Sequence, residues 1–251
     1  MNDFIAWRDA VVASLAERDD VVGAGGMGST AATHRADEWS DLDIFILTVP
    51  GAEDRYRHSI DWLPGSDQAV LHLVEWHGGG KVLFRDGRFV EWGVGTPDAV
   101  AGWLADDAAV LVDRGGAAEA IGSAQRNPYP VNDMGIDDAL ATFVIAIRHG
   151  MGRVRRGELV SGGDIIRSEA VAALLRAARA GLEPSNPAVL DRLDVRRRVE
   201  RAFPQLAKAI AAAVAQEPER AAQELLSLAE AHFGDRVPTA AIATVRTMFG
   251  W

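Results

Sequence analysis

Two aspartates, Asp41 and Asp43, lie two residues apart in a stretch that is otherwise apolar. Side chains two residues apart on a β-strand point to the same side, so these carboxylates would lie close together and repel each other. A divalent cation relieves that repulsion, and Mg²⁺ binds in proteins to one or two carboxylates together with phosphate oxygens. The pair therefore predicts a metal site, although an Asp-x-Asp sequence by itself is weak evidence for one.

A glycine-rich turn, Gly-Gly-Met-Gly-Ser at residues 25–29, precedes the two aspartates. Gly28 lets the backbone approach an anion closely, and Ser29 adds a hydroxyl donor. A helix that begins here would present free N–H groups and the positive end of its dipole to a phosphate. The turn and the aspartates together predict a site that holds a phosphate and a metal side by side.

Alternating apolar residues predict the strand that positions the aspartates. Leu42, Ile44 and Ile46 alternate with Asp41, Asp43 and Phe45, which is typical of a half-buried strand at 41–47. An Asp86-Gly87 turn joins two apolar segments and predicts a hairpin over 81–94. Similar patterns predict strands at 21–24, 69–76, 81–84, 88–94 and 109–112, and helices at 3–18, with Asp3 as its N-cap, at 55–63 and from Pro97 onwards.

The composition changes near residues 127–130, after which the chain is rich in Ala, Leu and Arg. Periodic apolar residues, broken by Gly and Pro, predict a run of helices over 136–156, 164–180, 188–202, 205–215, 218–232 and 238–248. We therefore expect an α+β protein with two domains. Residues 1–125 would form a domain around a small mixed, twisted sheet, and residues 126–251 would form a helical bundle.

Charge and composition exclude several classes of protein. The formal net charge is -10, and an acidic surface repels phosphate backbones, so no DNA partner is expected. The charge is explained equally well by a cationic partner and by solubility alone. The chain has no cysteine and no apolar run of 18 residues, and its start has no basic segment followed by an apolar core. These features predict a cytoplasmic protein without disulfides and without a membrane partner.

The segments Gly28-Ser29 and Ser40-Asp41-Leu42-Asp43 resemble the signature of the polymerase-β-type nucleotidyltransferase superfamily. Within it, the chain is most similar to antibiotic nucleotidyltransferases, first those that modify lincosamides and then the aminoglycoside adenylyltransferases. Glu91, in the predicted hairpin, stands where these enzymes carry a third carboxylate. The segments Arg156-Gly157-Glu158 and Arg167-Ser168-Glu169 are similar to the helical second domain of the lincosamide group.

This resemblance implies a role for each carboxylate. Asp41 and Asp43 would hold Mg²⁺, in the form of two ions, against the triphosphate of the nucleotide. Glu91 would be either the general base that takes the proton from the acceptor hydroxyl or a third metal ligand, and both roles remain open.

The resemblance also implies a nucleotide site. Its residues would be Gly28, Ser29, Thr30, Ser40 and Arg167, with ATP or another nucleoside triphosphate as the co-substrate. Trp39, Trp76 and Trp92 flank the predicted site, where each would either stack on a ring of the ligands or pack in the core.

The implied reaction is the transfer of a nucleoside monophosphate, AMP from ATP, to a hydroxyl of a small molecule, with release of pyrophosphate. The acceptor would be an aminoglycoside or a lincosamide antibiotic, which the helical domain would enclose, and the function would be antibiotic resistance. The lincosamide enzymes also suggest a homodimer. Two alternatives stay open: a nucleotidyltransferase that acts on a protein or a tRNA, and a non-catalytic relative that only binds nucleotide.

Overall fold

The computed structural model describes residues 2–251. The chain forms two compact units, Met1–Pro128 and Tyr129–Trp251. The predicted division at 125/126 lies close to this boundary, while the functions assigned to the two domains remain predictions. Unit 1 combines a sheet with helices and unit 2 is helical, so the predicted α+β fold class is confirmed.

Unit 1 is built on one six-stranded mixed sheet. Its strands are β1 (Val21–Met27), β2 (Leu42–Thr48), β3 (Ala69–Val74), β4 (Gly80–Phe84), β5 (Phe89–Gly95) and β6 (Ala108–Asp113). Their order is β3-β4-β5-β2-β1-β6. The pairing of β2 with β5 is parallel, and the other pairings are antiparallel. The predicted strands and the predicted hairpin are therefore present, with ends that shift by at most three residues.

The two faces of β2 pack into two different clusters. Leu42, Ile44 and Ile46 join the buried cluster that also contains apolar residues of the first helix. Phe45 and Leu47 join a second cluster on the opposite face. The alternation in the sequence thus follows the alternation of the two buried faces.

Unit 1 also contains five helices among its described residues. They are α1 (Asn2–Ala16), α2 (Gly28–Ala31), α3 (Glu53–His58), α4 (Pro97–Ala101) and α5 (Ala117–Arg126).

Unit 2 is a group of helices around its own core. They are α6 (Ile136–Arg155), α7 (Leu159–Asp164), α8 (Val171–Gly181), α9 (Val199–Ala202), α10 (Pro204–Val214), α11 (Pro218–Phe233) and α12 (Thr239–Phe249). A π-helical segment, Ile165–Ala170, joins α7 to α8. The alanine and leucine side chains of these helices are buried against one another. None of the helices described in residues 2–251 is long and apolar enough to cross a membrane.

Several local predictions were wrong. The predicted helix at 188–202 is mostly irregular, and only α9 and a 3-10 turn at Pro187–Val189 form there. The Asp191 carboxylate accepts hydrogen bonds from the backbone of Leu193 and Asp194, which stabilises a turn instead of a helix. Arg198 has a φ of 59°, in the left-handed region that a helix does not tolerate.

Other helices also differ from the sequence prediction. The helix predicted at 55–63 is α3, which ends at His58, and the helix predicted at 164–180 is divided into the π-helical segment and α8. Helix α5 was not predicted, although Asp113 accepts hydrogen bonds from the first N–H groups of that helix, at Ala117 and Ala118. These bonds hold the pKa of the Asp113 carboxyl below its ordinary value. Asp3, predicted as the N-cap of the first helix, instead lies inside its first turn.

Candidate functional site

Asp43 and Glu91 are neighbours in the sheet. They are direct register partners in the parallel pair of β2 with β5, so their backbones lie one strand spacing apart. Opposed residues in such a pair project from the same face, and that face is the one that carries Phe45. Segments that are far apart in the sequence therefore bring two carboxylates to one place.

Asp41 lies just before β2, because the strand begins at Leu42. The prediction that both aspartates belong to the strand was therefore wrong for Asp41, and the pleat does not fix the direction of its side chain. Asp41 is partly exposed, as Asp43 is. The backbone carbonyl of Asp41 accepts a hydrogen bond from the Ser29 hydroxyl at 3.4 Å.

The glycine turn lies directly beside Asp43. Gly28 has a φ of 54°, a conformation that favours glycine, and a Cβ atom placed there would lie 3.6 Å from Oδ2 of Asp43. The Gly28 N–H donates to the carbonyl of Asp107 at 2.8 Å. Helix α2 is only 4 residues long, so the predicted contribution of a helix dipole is small, because that dipole sums over several turns.

The hydroxyl of Thr30 holds the backbone of Asp43 in place. Thr30 is fully buried, and its Oγ1 accepts a hydrogen bond of 2.9 Å from the backbone N–H of Asp43. Thr30 was predicted to bind phosphate, whereas the structure shows it joining α2 to β2. Ser40 was placed in the nucleotide site; its hydroxyl donates to the Asp37 carboxylate at 3.1 Å and accepts from the Asp37 N–H at 2.9 Å.

Glu91 takes part in a small network of charges. Nζ of Lys81 lies 3.4 Å from Oε1 of Glu91 and 3.0 Å from Oε1 of Glu75. Nε2 of His77 lies 3.2 Å from Oε2 of Glu75. The hydrogen bond to Glu75, together with the charge of Glu91, raises the pKa of Lys81 above its ordinary value.

Sequence reasoning missed Lys81 because the hairpin register differs from the simplest one. A two-residue Asp86-Gly87 loop would place Lys81 opposite Trp92. The loop instead has three residues, with Gly87 at a φ of 89°, and Phe84 bonds to Arg88 across it. This shift places Lys81 opposite Glu91.

A pocket of about 330 Å³ opens beside Glu91, on the same face of the sheet. Phe45 and Trp103 give it an aromatic wall, with ring centroids 5.3 Å apart in an edge-on arrangement. Gly93 makes room for Trp103, because a Cβ at that position would come within 2.8 Å of the indole ring. Glu75, His77 and Glu91 supply its polar groups. A mostly apolar pocket with a few convergent polar groups suits a small organic ligand.

The three tryptophans near the site differ in their surroundings. Trp92 is 1% exposed, and its indole N–H donates to the Tyr56 carbonyl at 2.8 Å, so Trp92 packs in the core. Trp39 is 85% exposed and Trp76 is 96% exposed. Trp76 belongs to the β3–β4 turn, whose other residues Glu75, His77, Gly78 and Gly79 line the pocket. Of these three, Trp39 and Trp76 thus offer an exposed ring to a ligand.

Arg167 lies in unit 2, in the π-helical segment. Its Nε and Nη2 atoms donate to the carbonyls of Val214 and Gln216, at 3.0 and 2.7 Å. These carbonyls lie at the end of α10, where helices leave acceptors unpaired. In this structure the side chain therefore caps a helix, and its predicted contact with nucleotide remains a prediction.

The carboxylates at the site suit a magnesium ion whose remaining ligands come from the substrate and water. Among residues 2–251, no three His, Cys, Asp or Glu side chains lie close enough together to hold a metal ion by themselves. Mg²⁺ typically takes only one or two carboxylates and fills its other positions with water and phosphate oxygens. Asp43 lies against the Gly28 turn and is the register partner of Glu91, so it fits such a site, and either Asp41 or Glu91 would supply a second carboxylate.

Comparisons with known proteins identify no family. No protein-family model matches the chain, and no curated protein matches its sequence. One solved structure found by similarity is an aminoglycoside 6-adenyltransferase from Bacillus subtilis, with 11% identity and a TM-score of 0.33. The match covers 97% of this chain and 90% of that chain. At this TM-score the likeness carries no argument about function.

Proposed function

We propose that this protein is a nucleotidyltransferase that moves a nucleoside monophosphate, AMP from ATP, onto a hydroxyl of a small molecule in the presence of Mg²⁺. The observation that carries the proposal is the juxtaposition of Asp43 and Glu91 on adjacent parallel strands, with the Gly28 turn against the Asp43 carboxylate. The resemblance of the Gly28-Ser29 and Ser40–Asp43 segments to the nucleotidyltransferase signature also supports it.

The nucleotide would bind with its phosphates at the Gly28 turn. Gly28 brings backbone to within a few ångströms of Asp43, and Ser29 stands beside Asp41. Asp41 and Asp43 would hold Mg²⁺, which neutralises charge on the triphosphate and on the departing pyrophosphate. Thr30 fixes the backbone of Asp43 and so keeps its carboxylate beside the turn.

The acceptor would bind in the pocket beside Glu91. Its hydroxyl oxygen forms a bond to the α-phosphorus, the bond from that phosphorus to pyrophosphate breaks, and Glu91 takes the hydroxyl proton. Positioned general bases typically contribute ~10²–10⁴-fold to a rate. The aromatic wall of Phe45 and Trp103 suits the apolar part of an acceptor, and Glu75 suits a cationic part. An aminoglycoside or lincosamide antibiotic would satisfy both requirements.

A transfer assay tests the proposal. The full chain is incubated with Mg²⁺, with ATP or GTP, and with pooled aminoglycosides and lincosamides, and products are detected by the mass of the added nucleotide and by pyrophosphate release. We expect Asp43→Asn to abolish transfer, because it removes a charge from the metal site. Glu91→Gln should slow transfer by ~10²-fold or more yet retain ATP binding, measured as ligand-dependent thermal stabilisation.

Asp98→Asn is the matched control, since Asp98 is an exposed aspartate in the first turn of α4. It should transfer at the wild-type rate. Wild-type activity of the Asp43→Asn protein would refute the metal assignment. ATP binding without transfer to any small molecule, protein or tRNA offered would replace the proposal with a non-catalytic nucleotide-binding role.

A further inference from the structure

Strand β3 forms an edge of the sheet and is unusually apolar for such a position. In the sheet order β3 stands at one end, and among residues 2–251 it pairs with β4 alone. Val70, Leu71 and Leu73 are 52%, 59% and 49% exposed. Natural edge strands usually carry Lys, Pro or other charged residues that prevent pairing with another chain. Strand β3 contains none of these, and its bulge lies at its beginning, next to Val70.

The exposed leucines continue as a strip across the sheet. Leu71 pairs with Leu83 of β4, and Leu83 is itself 37% exposed. Leu73 pairs with Lys81 of β4, and Lys81 pairs with Glu91 of β5, so the strip lies on the face that carries Glu91. His72 lies on the other face, where its ring stacks on Trp92 at 5.8 Å. An apolar strip that continues to an open edge is typical of an interaction surface.

The sequence of this edge is symmetric about His72. Residues 70–74 are Val-Leu-His-Leu-Val, which is the same in both directions. In an antiparallel pair of two such strands centred on His72, Leu71 meets Leu73 of the second chain and Val70 meets Val74 of the second chain. A two-fold interface needs a surface that is complementary to itself, and a palindromic strand satisfies that need.

We propose that two copies of this chain pair through β3, antiparallel and with the two-fold axis at His72, to form one continuous sheet. The second copy is the occupant because the sequence of this strand is complementary to itself. The net charge of -10 opposes the approach of two copies, but β3 itself brings no charged side chain into the contact. A specific interface buries at least about 1,000 Å² in total, so the apolar strip and the strand edge of both copies would be covered together.

This pairing places both candidate sites on the same side of the joined sheet. Opposite residues of an antiparallel pair project to the same face, so the leucines of both copies form one apolar strip between the two sites. The proposal does not depend on the proposed enzymatic function.

The absence of cysteine from the chain makes a crosslinking test direct. A thiol introduced by His72→Cys would face its own copy across the axis at a Cα separation of about 5 Å, within the range for a disulfide. A thiol introduced by Leu71→Cys would lie about 8 Å from its copy, beyond that range. We expect mild oxidation to crosslink the full-length His72→Cys protein and to leave the Leu71→Cys protein uncrosslinked.

The oligomeric state provides the second measurement. Sedimentation equilibrium should show a wild-type dimer, and Leu71→Lys should raise its dissociation constant by more than ~100-fold, because symmetry places each changed side chain in the interface twice. The control Val160→Lys changes an apolar residue that is 89% exposed in unit 2, and the dimer should persist. A wild-type protein that is monomeric at all concentrations would overturn the proposal. So would a dimer that Leu71→Lys leaves unchanged and that His72→Cys does not crosslink.

Discussion

The hydrogen bond between Thr30 and Asp43 permits a quantitative prediction. Thr30→Val keeps the shape of the side chain but removes the acceptor of the Asp43 N–H, which lies 2.9 Å from Oγ1 of a fully buried residue. A buried donor left without its partner costs about 1–3 kcal/mol. We therefore expect the free energy of unfolding of unit 1 to fall by about 2 kcal/mol in this variant.

Thr30→Ser is the matched control, since it keeps the hydroxyl and loses the methyl group. That methyl packs under Gly26, where an added Cβ would lie 2.7 Å from it. Loss of one buried methyl group costs about 0.8 kcal/mol, so serine should destabilise less than valine does.

Urea unfolding followed by tryptophan fluorescence measures both changes. All tryptophans except Trp251 lie in unit 1, so the signal reports that unit. With a denaturant slope of about 2 kcal/mol per molar, the midpoint should fall by about 1 M in Thr30→Val. If the valine variant were as stable as wild type, or the serine variant less stable than the valine variant, Thr30 would not be holding the Asp43 backbone.

Further predictions concern pH and packing. Burial raises the pKa of Tyr56 to about 12, and its hydrogen bond to Asp20 acts in the same direction. Because this pKa lies above the unfolded value of about 10, the stabilisation from Tyr56 is complete below pH ~10 and is lost as the pH rises towards 12. Urea midpoints should therefore fall over this pH range in wild type and fall less in Tyr56→Phe. Gly80→Ala should lower the unfolding free energy by roughly 1–3 kcal/mol, since its Cβ would lie 2.1 Å from the Trp92 ring. In the control Gly102→Ala the nearest contact of the added Cβ is at 3.5 Å, so this variant should unfold near the wild-type midpoint in the same assay. Arg167→Met should lower the melting temperature of unit 2, since the carbonyls of Val214 and Gln216 lose their charged donor, and a melting temperature equal to that of wild type would contradict that role.

The parts of the fold that local patterns control could be predicted from the sequence. Alternation at Leu42, Ile44 and Ile46 predicted β2, and the two faces of that strand do pack into separate clusters. Helices with regular apolar spacing, such as α6 and α11, begin and end within one or two residues of their predicted limits. Hydrogen bonds from a side chain to the backbone leave a weaker pattern in the sequence than apolar periodicity does. For that reason a helix was predicted over the turn at Asp191.

The candidate site was predictable in its residue types but not in its detailed contacts. The position of Glu91 on a strand near Asp43 followed from the resemblance. The register that makes them direct partners depends on tertiary pairing, which no local pattern reports. Likewise, a loop one residue longer than the simplest turn brought Lys81 to Glu91. Burial also distinguishes the two neighbouring hydroxyl groups: Thr30 is buried and has a structural role, whereas Ser29 is partly exposed.

The parallel pairing of β2 with β5 also has a consequence for how the chain folds. Strands β1 and β2 are neighbours in sequence, and β3, β4 and β5 form a second run of antiparallel neighbours. Each run can form through short-range contacts, which are kinetically fast, whereas the β2–β5 ladder closes a much longer loop. Asp43 comes from the first run and Glu91 from the second. We therefore expect the two carboxylates to meet only when the two runs join, so substitutions along this ladder should delay the appearance of a competent site more than they delay the formation of either run of strands.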